Sequence, residues 1–193
     1  RRRSGRSARA ASAAMAMSTR ATASTMAPSR SRAETVPVAV RTAGAAAAAD
    51  GMGRPLFSGR RADGRPRDAV HCLWWACGLI REHRGDSHVA AAAAAGLDPV
   101  EMNILTELWI GMPLLSYTAT RGWAPDVMQQ AVARLESRGW VRDGALTGEG
   151  LAERLSIEQR TDAQEQPIVA ALGGQLDEVC SRLNHWGQLC IEA

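Results

Sequence analysis

The pattern of apolar and polar residues is clearest between residues 98 and 147 of this chain. Asp98 precedes Pro99, a residue that suits the first position of a helix, and Glu101 stands where the acidic residue of a capping box belongs. The apolar side chains that follow recur at helical spacing: Ile104, Leu105, Leu108 and Trp109. The pattern therefore predicts a helix that begins after Asp98 and buries this face.

Two further helices are predicted after this one. Gly111 and Pro113 end the first helix, and a short second helix is expected to run to Gly122. Its apolar residues are Leu114, Leu115 and Ala119. A third helix is expected from Pro125 to Gly139, because its apolar residues follow an i, i+3, i+4, i+7 pattern: Met128, Ala131, Val132 and Leu135.

A β-hairpin is predicted after the third helix. Residues 140–142 and 145–147 flank Asp143-Gly144, a dipeptide favoured in two-residue turns because both positions need a positive φ. Three helices followed by a hairpin have the order of a winged helix-turn-helix, whose third helix enters the major groove of DNA. The predicted fold is mainly α: a winged helix-turn-helix with flanking helices and a short β-hairpin wing.

Two helices are also predicted upstream of this motif. Asp68 can cap a helix that is closed by Gly85, and Asp86 can cap a shorter helix over residues 87–95. The first helix would bury one side, which carries Val70, Leu73, Trp74, Cys77 and Ile80. We expect both helices to pack behind the winged module.

The region after the hairpin, residues 148–190, is predicted to form C-terminal helices. A first helix would end near Glu165 and bury Leu151, Leu155 and Ile157, before Pro167 interrupts it. The apolar residues beyond Pro167 alternate by three and four positions, as in an a/d seam: Val169, Leu172, Leu176, Val179, Leu183, Trp186 and Cys190. We expect a homodimer through residues 175–190, and the alternative is an amphipathic helix that covers its own core.

Charge divides the chain into two parts. Residues 1–64 carry 12 arginines and three acidic residues, a net charge of +9, whereas residues 65–193 carry 11 arginines and 17 acidic residues, a net charge of −6. Residues 1–52 hold few apolar side chains larger than Ala, so burial would not offset the entropy lost on ordering them. We therefore predict a disordered tail over 1–52, a linker over 53–67 and one domain over 68–193.

Composition leaves the origin of the tail open and places the rest in the cytoplasm. Arg- and Ser-rich, acid-poor sequence is typical of organellar transit peptides, and GC-rich DNA translated outside its frame gives similar strings. The cysteines form no CxxC pair, which favours buried thiols in a reducing cytoplasm: Cys72, Cys77, Cys180 and Cys190. No run of about 18 apolar residues occurs, so we expect no membrane span.

The solvent side of the third helix and its neighbours supplies the candidate DNA-binding residues. Gln can pair with an adenine edge, and Arg can bind guanine or phosphate. The candidates are Arg121, Gln129, Gln130, Arg134, Arg138 and Arg142. The net charge of −6 favours the alternative, a merely solvated helix face, because an acidic domain gains little from counterion release.

The dense polar stretch at residues 81–88 is a second candidate site. It is expected at a helix junction, where its side chains can satisfy backbone groups or hold an anionic ligand. The ligand-binding candidates are Trp75, Arg81, Arg84 and His88. His83 and His88 lack the i, i+4 spacing of two imidazoles on one helix face, so no metal site is predicted. No nucleophile–base pair or phosphate loop is readable, so we predict no enzyme and no cofactor.

Several short motifs occur together in the region that is predicted to fold. They are REHRGDSHV at residues 81–89, Gly96-Leu97, TRGW at residues 120–123, Leu146-Thr147 with Gly150, and RTD at residues 160–162. Together they resemble a helix-turn-helix family that is common in actinobacteria and distantly similar to MarR-type regulators. The resemblance covers about Gly53 to the C-terminus. Because members of that family carry a further helical segment upstream, we expect a truncated or frame-disturbed N-terminus.

Two functions follow from these observations. Helix order and the resemblance imply a MarR-like winged-helix transcriptional regulator that binds duplex DNA, responds to a small-molecule effector and dimerises. The acidic charge favours a winged-helix protein without DNA binding, which binds a small metabolite or assists a secondary-metabolite pathway. A continuous positive surface around the predicted DNA-binding residues would favour the first function.

Overall fold

The computed structural model describes residues 30–192 and divides the chain into two units by their internal contacts. Among the described residues, the terminal unit comprises residues 30–87 and 162–192, and the central unit comprises His88–Thr161. The helices are α1 (Arg30–Ala47), α2 (Pro55–Ala62), α3 (Ala69–Ala94), α4 (Pro99–Trp109), α5 (Pro125–Ser137), α6 (Gly148–Gln164), α7 (Gln166–Leu172) and α8 (Leu176–Glu192). Strands β1 (Val141–Arg142) and β2 (Ala145–Leu146) form a small antiparallel sheet. The described part of the protein is thus mainly helical.

Helix α1 contradicts the prediction of disorder over residues 1–52. Residues 30–47 form a helix, while residues 1–29 lie outside the described residues. The buried side chains of α1 are small: Thr35, Val38, Ala39, Thr42, Ala43, Ala45 and Ala46. They allow α1 to lie close to α7 and α8, whose larger side chains complete the core. The prediction was wrong here because it counted the apolar side chains of α1 alone.

The apolar seam of the C-terminal segment is partly covered inside the chain, and its last member, Cys190, is exposed. Leu172 and Val179 are buried in the same core as Val38 of α1, and so is Leu183. Pro167 lies in the first turn of α7, and a 3-10 turn at Gly173–Gln175 separates α7 from α8. Since α1 packs against these three residues, they fit the alternative of a helix that covers its own core, while the homodimer through residues 175–190 stays a prediction.

Helix α2 lies in the segment that was predicted to be a linker. Phe57 is fully buried, and its ring meets the ring of His83 edge-on with a centroid separation of 5.1 Å. The carboxylate of Asp86 accepts the backbone N–H of Phe57 at 3.0 Å and so caps the first turn of α2. The linker prediction is therefore wrong for residues 55–62.

Helix α3 is continuous from Ala69 to Ala94, so the predicted break at Gly85 is wrong. Asp86 points to α2 instead of starting a new helix, and Gly85 keeps a negative φ. The predicted cap at Asp68 is confirmed, because its side chain accepts the backbone N–H groups of residues 70 and 71 at 3.0 and 3.1 Å. Leu73 and Cys77 are buried as predicted, whereas the side chains of Val70 and Trp74 are exposed.

Helix α4 of the central unit begins as the sequence predicts. Asp98 accepts the backbone N–H groups of Val100 and Glu101, both at 2.8 Å, and Glu101 accepts the backbone N–H of Asp98 at 2.9 Å. This reciprocal capping box is confirmed. The predicted second helix is reduced to a 3-10 turn at Thr118–Arg121, which ends at Gly122 with a φ of 79°.

Helix α5 and the hairpin complete the central unit. The predicted buried stripe of α5 is confirmed for Met128, Ala131 and Leu135, which share one core with Ile104 of α4. In the hairpin, Val141 pairs with Leu146 and Arg142 with Ala145. Asp143 and Gly144 connect the strands with φ values of 52° and 73°. The predicted two-residue turn is thus confirmed, and it follows α5 directly.

Candidate nucleic-acid interface

The face of α5 opposite the core is open to solvent. Gln129 and Gln130 are exposed, as are Asp126 and Ala133 on the same side. The side-chain amides of both glutamines make no hydrogen bond to any residue in the described part of the chain. Two side-chain amides with unused donors and acceptors therefore project from α5, whose opposite, apolar face packs into the core.

Arg134 was predicted to face DNA, but its guanidinium group is engaged within the protein. Its Nε donates to Glu101 at 2.9 Å, and its Nη2 pairs with Asp98. The hydrogen bond to Glu101 is the largest cause of a raised pKa for Arg134. Two of its three nitrogens thus join α5 to the start of α4, and the two bound carboxylates offset the charge that Arg134 would offer to DNA.

Arg138 is likewise engaged with its surroundings. Its Nη2 donates to the backbone carbonyl of Gly96 at 2.8 Å, and its guanidinium lies 5.1 Å from the ring centroid of Trp140. The carboxylate of Glu101 is 3.9 Å away. These contacts place Arg138 at the C-terminal end of α5 as a support for the loops around it.

Arg121 and Arg142 are the two arginines of the predicted set whose hydrogen-bonding groups remain available. Both are exposed, and neither side chain forms a hydrogen bond or ion pair with a residue that the structure describes. Arg121 lies over the ring of Tyr117, 4.1 Å from its centroid, just before α5. Arg142 lies in β1, next to the turn of the hairpin. The central unit thus carries one available guanidinium on each side of α5 in the sequence.

Acidic residues offset these charges. The central unit contains six arginines and nine acidic residues. Four of the acidic residues are engaged internally: Asp98, Glu101, Glu107 and Glu158. Asp126 on α5 and Asp143 in the hairpin turn are exposed beside the candidate residues. The candidate interface therefore carries charges of both signs, and attraction to phosphate depends on where the two available arginines lie.

Three of the predicted ligand-binding residues lie in the terminal unit. The indole Nε1 of Trp75 donates to the backbone carbonyl of Arg60 at 3.2 Å. Arg81 pairs with the neighbouring Glu82 at 2.6 Å. The structure describes an open depression of about 370 Å³ in this unit, and other residues line it: Val36, Ala39, Val40, Arg65, Pro66, Arg67, Ala69 and Cys72. The predicted ligand residues are therefore not grouped around this depression.

The polar stretch at residues 81–88 is satisfied by contacts within each unit. Arg84 lies 3.5 Å from Asp162 in the terminal unit, and the Nδ1 of His83 lies 2.7 Å from Glu165. In the central unit, His88 lies 3.5 Å from Glu158. Among the described residues, no group of three or more His, Cys, Asp or Glu side chains could hold a metal ion. Internal ion pairs were expected here, although on a continuous helix they do not mark a junction.

Two buried charged residues of the central unit were not singled out by the sequence pattern. Glu107 is fully buried and accepts hydrogen bonds from the backbone N–H groups of residues 115, 117 and 118. Arg154, whose side chain is 2% exposed, pairs with Glu158 at 2.6 Å and stacks over Trp109 at 4.3 Å. A charged residue inside an apolar run is the one feature of the sequence that could have indicated Glu107.

Comparison with known families identifies the kind of protein to which this chain belongs. A model of a helix-turn-helix family matches residues 2–193, so the chain belongs to that family. The match extends upstream of Gly53, where the resemblance was expected to begin, and this corrects the predicted extent of the resemblance. No curated protein and no solved structure matches the chain at a significant level. Within the described residues, no helix combines the length and apolar character needed to cross a bilayer.

Proposed function

We propose that this chain is a MarR-like, winged-helix DNA-binding transcriptional regulator. In this proposal α5 lies in the major groove and the hairpin is the wing. The observation that carries it is the exposure of Gln129 and Gln130, whose amides are unused on the open face of α5. A glutamine amide can donate to N7 and accept from N6 of adenine, or pair with other base edges. Membership of a helix-turn-helix family supports a DNA-binding role in general.

The same geometry narrows the residues that would contact DNA. Gln129 and Gln130 are the proposed base-reading residues, and Arg121 and Arg142 are the proposed phosphate-contacting residues. Arg134 and Arg138 are better explained by their internal contacts. Each of these two arginines should contribute about −0.9 to the slope of the logarithm of affinity against the logarithm of salt concentration.

The test is a selection from a pool of random duplex DNA with the chain as it exists, at low and moderate salt. We expect the wild type to enrich a short sequence and the double variant Gln129→Ala/Gln130→Ala to lose that enrichment. Gln188→Ala is the matched control, because Gln188 is an exposed glutamine of α8 in the terminal unit. Absence of any binding at low salt would overturn the proposal, since phosphate attraction is greatest there.

The acidic excess of the central unit favours a second candidate function, a winged-helix protein that binds a small metabolite and no DNA. Arg81 and Arg84 remain its proposed ligand residues, with their present partners Glu82 and Asp162 as groups that an anionic ligand would displace. A rise in melting temperature with small carboxylates, lost in Arg84→Ala and combined with no DNA binding at low salt, would support this function.

A further inference from the structure

A buried carboxylate holds the turn that precedes α5. Glu107 is 0% exposed and accepts the backbone N–H groups of Leu115, Tyr117 and Thr118 at 2.5, 3.0 and 2.8 Å. It also accepts the hydroxyl of Thr118 at 3.0 Å. Four donors thus converge on one carboxylate, which allows it to be buried without a cationic partner in the described residues. The hydrogen bonds to Glu107 therefore fix the backbone conformation of residues 115–118.

This turn includes a conformation that is costly for an ordinary side chain. Leu115 has a φ of 64°, in the left-handed region that disfavours residues other than glycine. Its backbone N–H is one of the groups that Glu107 accepts. The carboxylate therefore helps to hold a backbone geometry that the local sequence would not adopt by itself.

The fixed turn in turn places the Tyr117 side chain under the Arg121 guanidinium. The separation of 4.1 Å between guanidinium carbon and ring centroid is that of a cation–π stack. Stacking uses the flat face of the guanidinium and leaves its N–H edges free, and Arg121 has no other partner in the described part of the chain. An exposed arginine that is held in place while its donors stay unused suits an oxyanion.

We infer that Arg121 contacts a phosphodiester of duplex DNA and that Glu107 and Tyr117 are positioning residues for this contact. The inference rests on the proposed DNA-binding function and adds a role for two residues outside the predicted set. Because phosphates carry no base identity, the contact strengthens binding to all sequences alike and sets the register of α5 on the duplex.

The experiment measures affinity for one duplex at several salt concentrations with wild type, Arg121→Ala, Tyr117→Leu and Glu107→Gln. Loss of Arg121 should reduce the magnitude of the salt slope by about 0.9, the value for one phosphate contact. Tyr117→Leu keeps the charge, so it should weaken binding by about two- to fivefold at every salt concentration and leave the slope unchanged. Glu107→Gln should behave like Tyr117→Leu, because its amide cannot accept all four donors.

A double-variant comparison separates positioning from a general effect on folding. Once Arg121 is replaced by Ala, Tyr117→Leu should cause no further loss of affinity, since the residue it positions is gone. This holds even if Glu107→Gln does not fold. Arg67→Ala removes the same charge from an exposed residue of the terminal unit and should leave both affinity and slope unchanged.

Three results would overturn the inference. If the wild type binds DNA while Arg121→Ala keeps its full slope and affinity, Arg121 makes no phosphate contact, although the proposed function stands. If Tyr117→Leu weakens binding equally with and without Arg121, Tyr117 acts elsewhere. If the wild type binds no DNA at low salt, the proposed function itself fails, and the inference fails with it.

Discussion

The arginines of this chain differ in whether their guanidinium groups are already paired within the protein. Arg134 and Arg121 have the same formal charge, but Arg134 pairs with two carboxylates whereas Arg121 rests on an aromatic ring with its donors unused. Sequence spacing predicted both as DNA contacts, because both can be assigned to one face of the motif. Spacing cannot show which charges are neutralised by residues from another helix, and here Asp98 and Glu101 of α4 decide it.

Buried charged residues were the least predictable feature at this scale. Glu107 and Arg154 lie among apolar residues, while Leu151 and Leu155, predicted to be buried, are both 42% exposed. Arg154 takes the inward position on α6 because Glu158 and Trp109 compensate its charge. A pattern of apolar positions cannot anticipate that a charged side chain will find such partners.

Cys77 gives a prediction at the residue scale. Burial raises the pKa of its thiol from 9.0 to about 12, because the thiolate would be poorly solvated in the core. Between these values the unfolded chain releases a proton that the folded chain keeps, so stability falls as pH rises. The free energy of unfolding should lose about 1.4 kcal/mol per pH unit between pH 9 and pH 12 from this group.

Urea unfolding of wild type and Cys77→Ala across this pH range measures the contribution. The variant should start less stable, because it leaves a small cavity, but its stability should fall less steeply with pH. Equal slopes for the two proteins would show that the Cys77 thiol does not stay protonated in the fold. A reaction of Cys77 with iodoacetamide in the folded protein at pH 8 would contradict the prediction in the same way.

At the scale of elements, the features that depend on residues close in sequence were predicted correctly. The capping box of α4, the stripe of α5 and the Asp143-Gly144 turn all depend on residues that are close in sequence, and all three are confirmed. The predicted break in α3 at Gly85 was wrong because a glycine only weakens a helix, and burial of the helix outweighs that cost. Helices α1 and α2 were missed because their small or isolated apolar residues are buried by distant segments.

The contact between α6 and the loop after α5 gives a prediction about elements. A Cβ atom at Gly150 would lie 2.0 Å from the backbone oxygen of Trp140, a clash with main chain that no rotamer can relieve. Gly150→Ala should therefore destabilise the protein by about 2 kcal/mol or more in urea unfolding. Trp140 also accepts the backbone N–H of Thr147, so the hairpin should loosen at the same time.

Gly148→Ala is the matched control in the same turn of α6. A Cβ atom there meets nothing within 4 Å, so its effect on stability should stay within about 0.5 kcal/mol. A similar loss of stability in both variants would mean that α6 does not approach Trp140 this closely.

At the scale of the whole molecule, charge is distributed unevenly, and this distribution should limit the proposed affinity for DNA. The basic net charge of +3 hides a central unit in which acidic residues outnumber arginines, nine to six. Sequence analysis anticipated an acidic folded part, and two of its exposed carboxylates lie close in sequence to candidate residues: Asp126 on α5, three residues before Gln129, and Asp143 in the hairpin turn, next to Arg142. These two carboxylates should repel the phosphates that Arg142 attracts.

Removing those carboxylates should strengthen DNA binding. Asp126→Asn and Asp143→Asn should each raise affinity by about fivefold at low salt, the effect of an exposed charge at close range, and the gain should shrink at high salt. Asn is compatible with the positive φ of residue 143, so the hairpin should be kept. Binding isotherms at two salt concentrations measure this, with Glu192→Gln at the exposed end of α8 as control.

Unchanged affinity in both variants, with wild-type binding intact, would mean that DNA is held on another face. If Glu192→Gln raised DNA affinity as much as the two Asp variants do, the gain would be only a general effect of net charge.

The packing of α1 over α7 and α8 has a practical consequence for any shortened form of the protein. Without residues 30–47, Leu172, Val179 and Leu183 would meet water along one continuous strip. Apolar surface that becomes exposed in this way promotes association between chains. Dimers or aggregates of such a fragment would result from the loss of α1. They would not indicate the oligomeric state of the full chain.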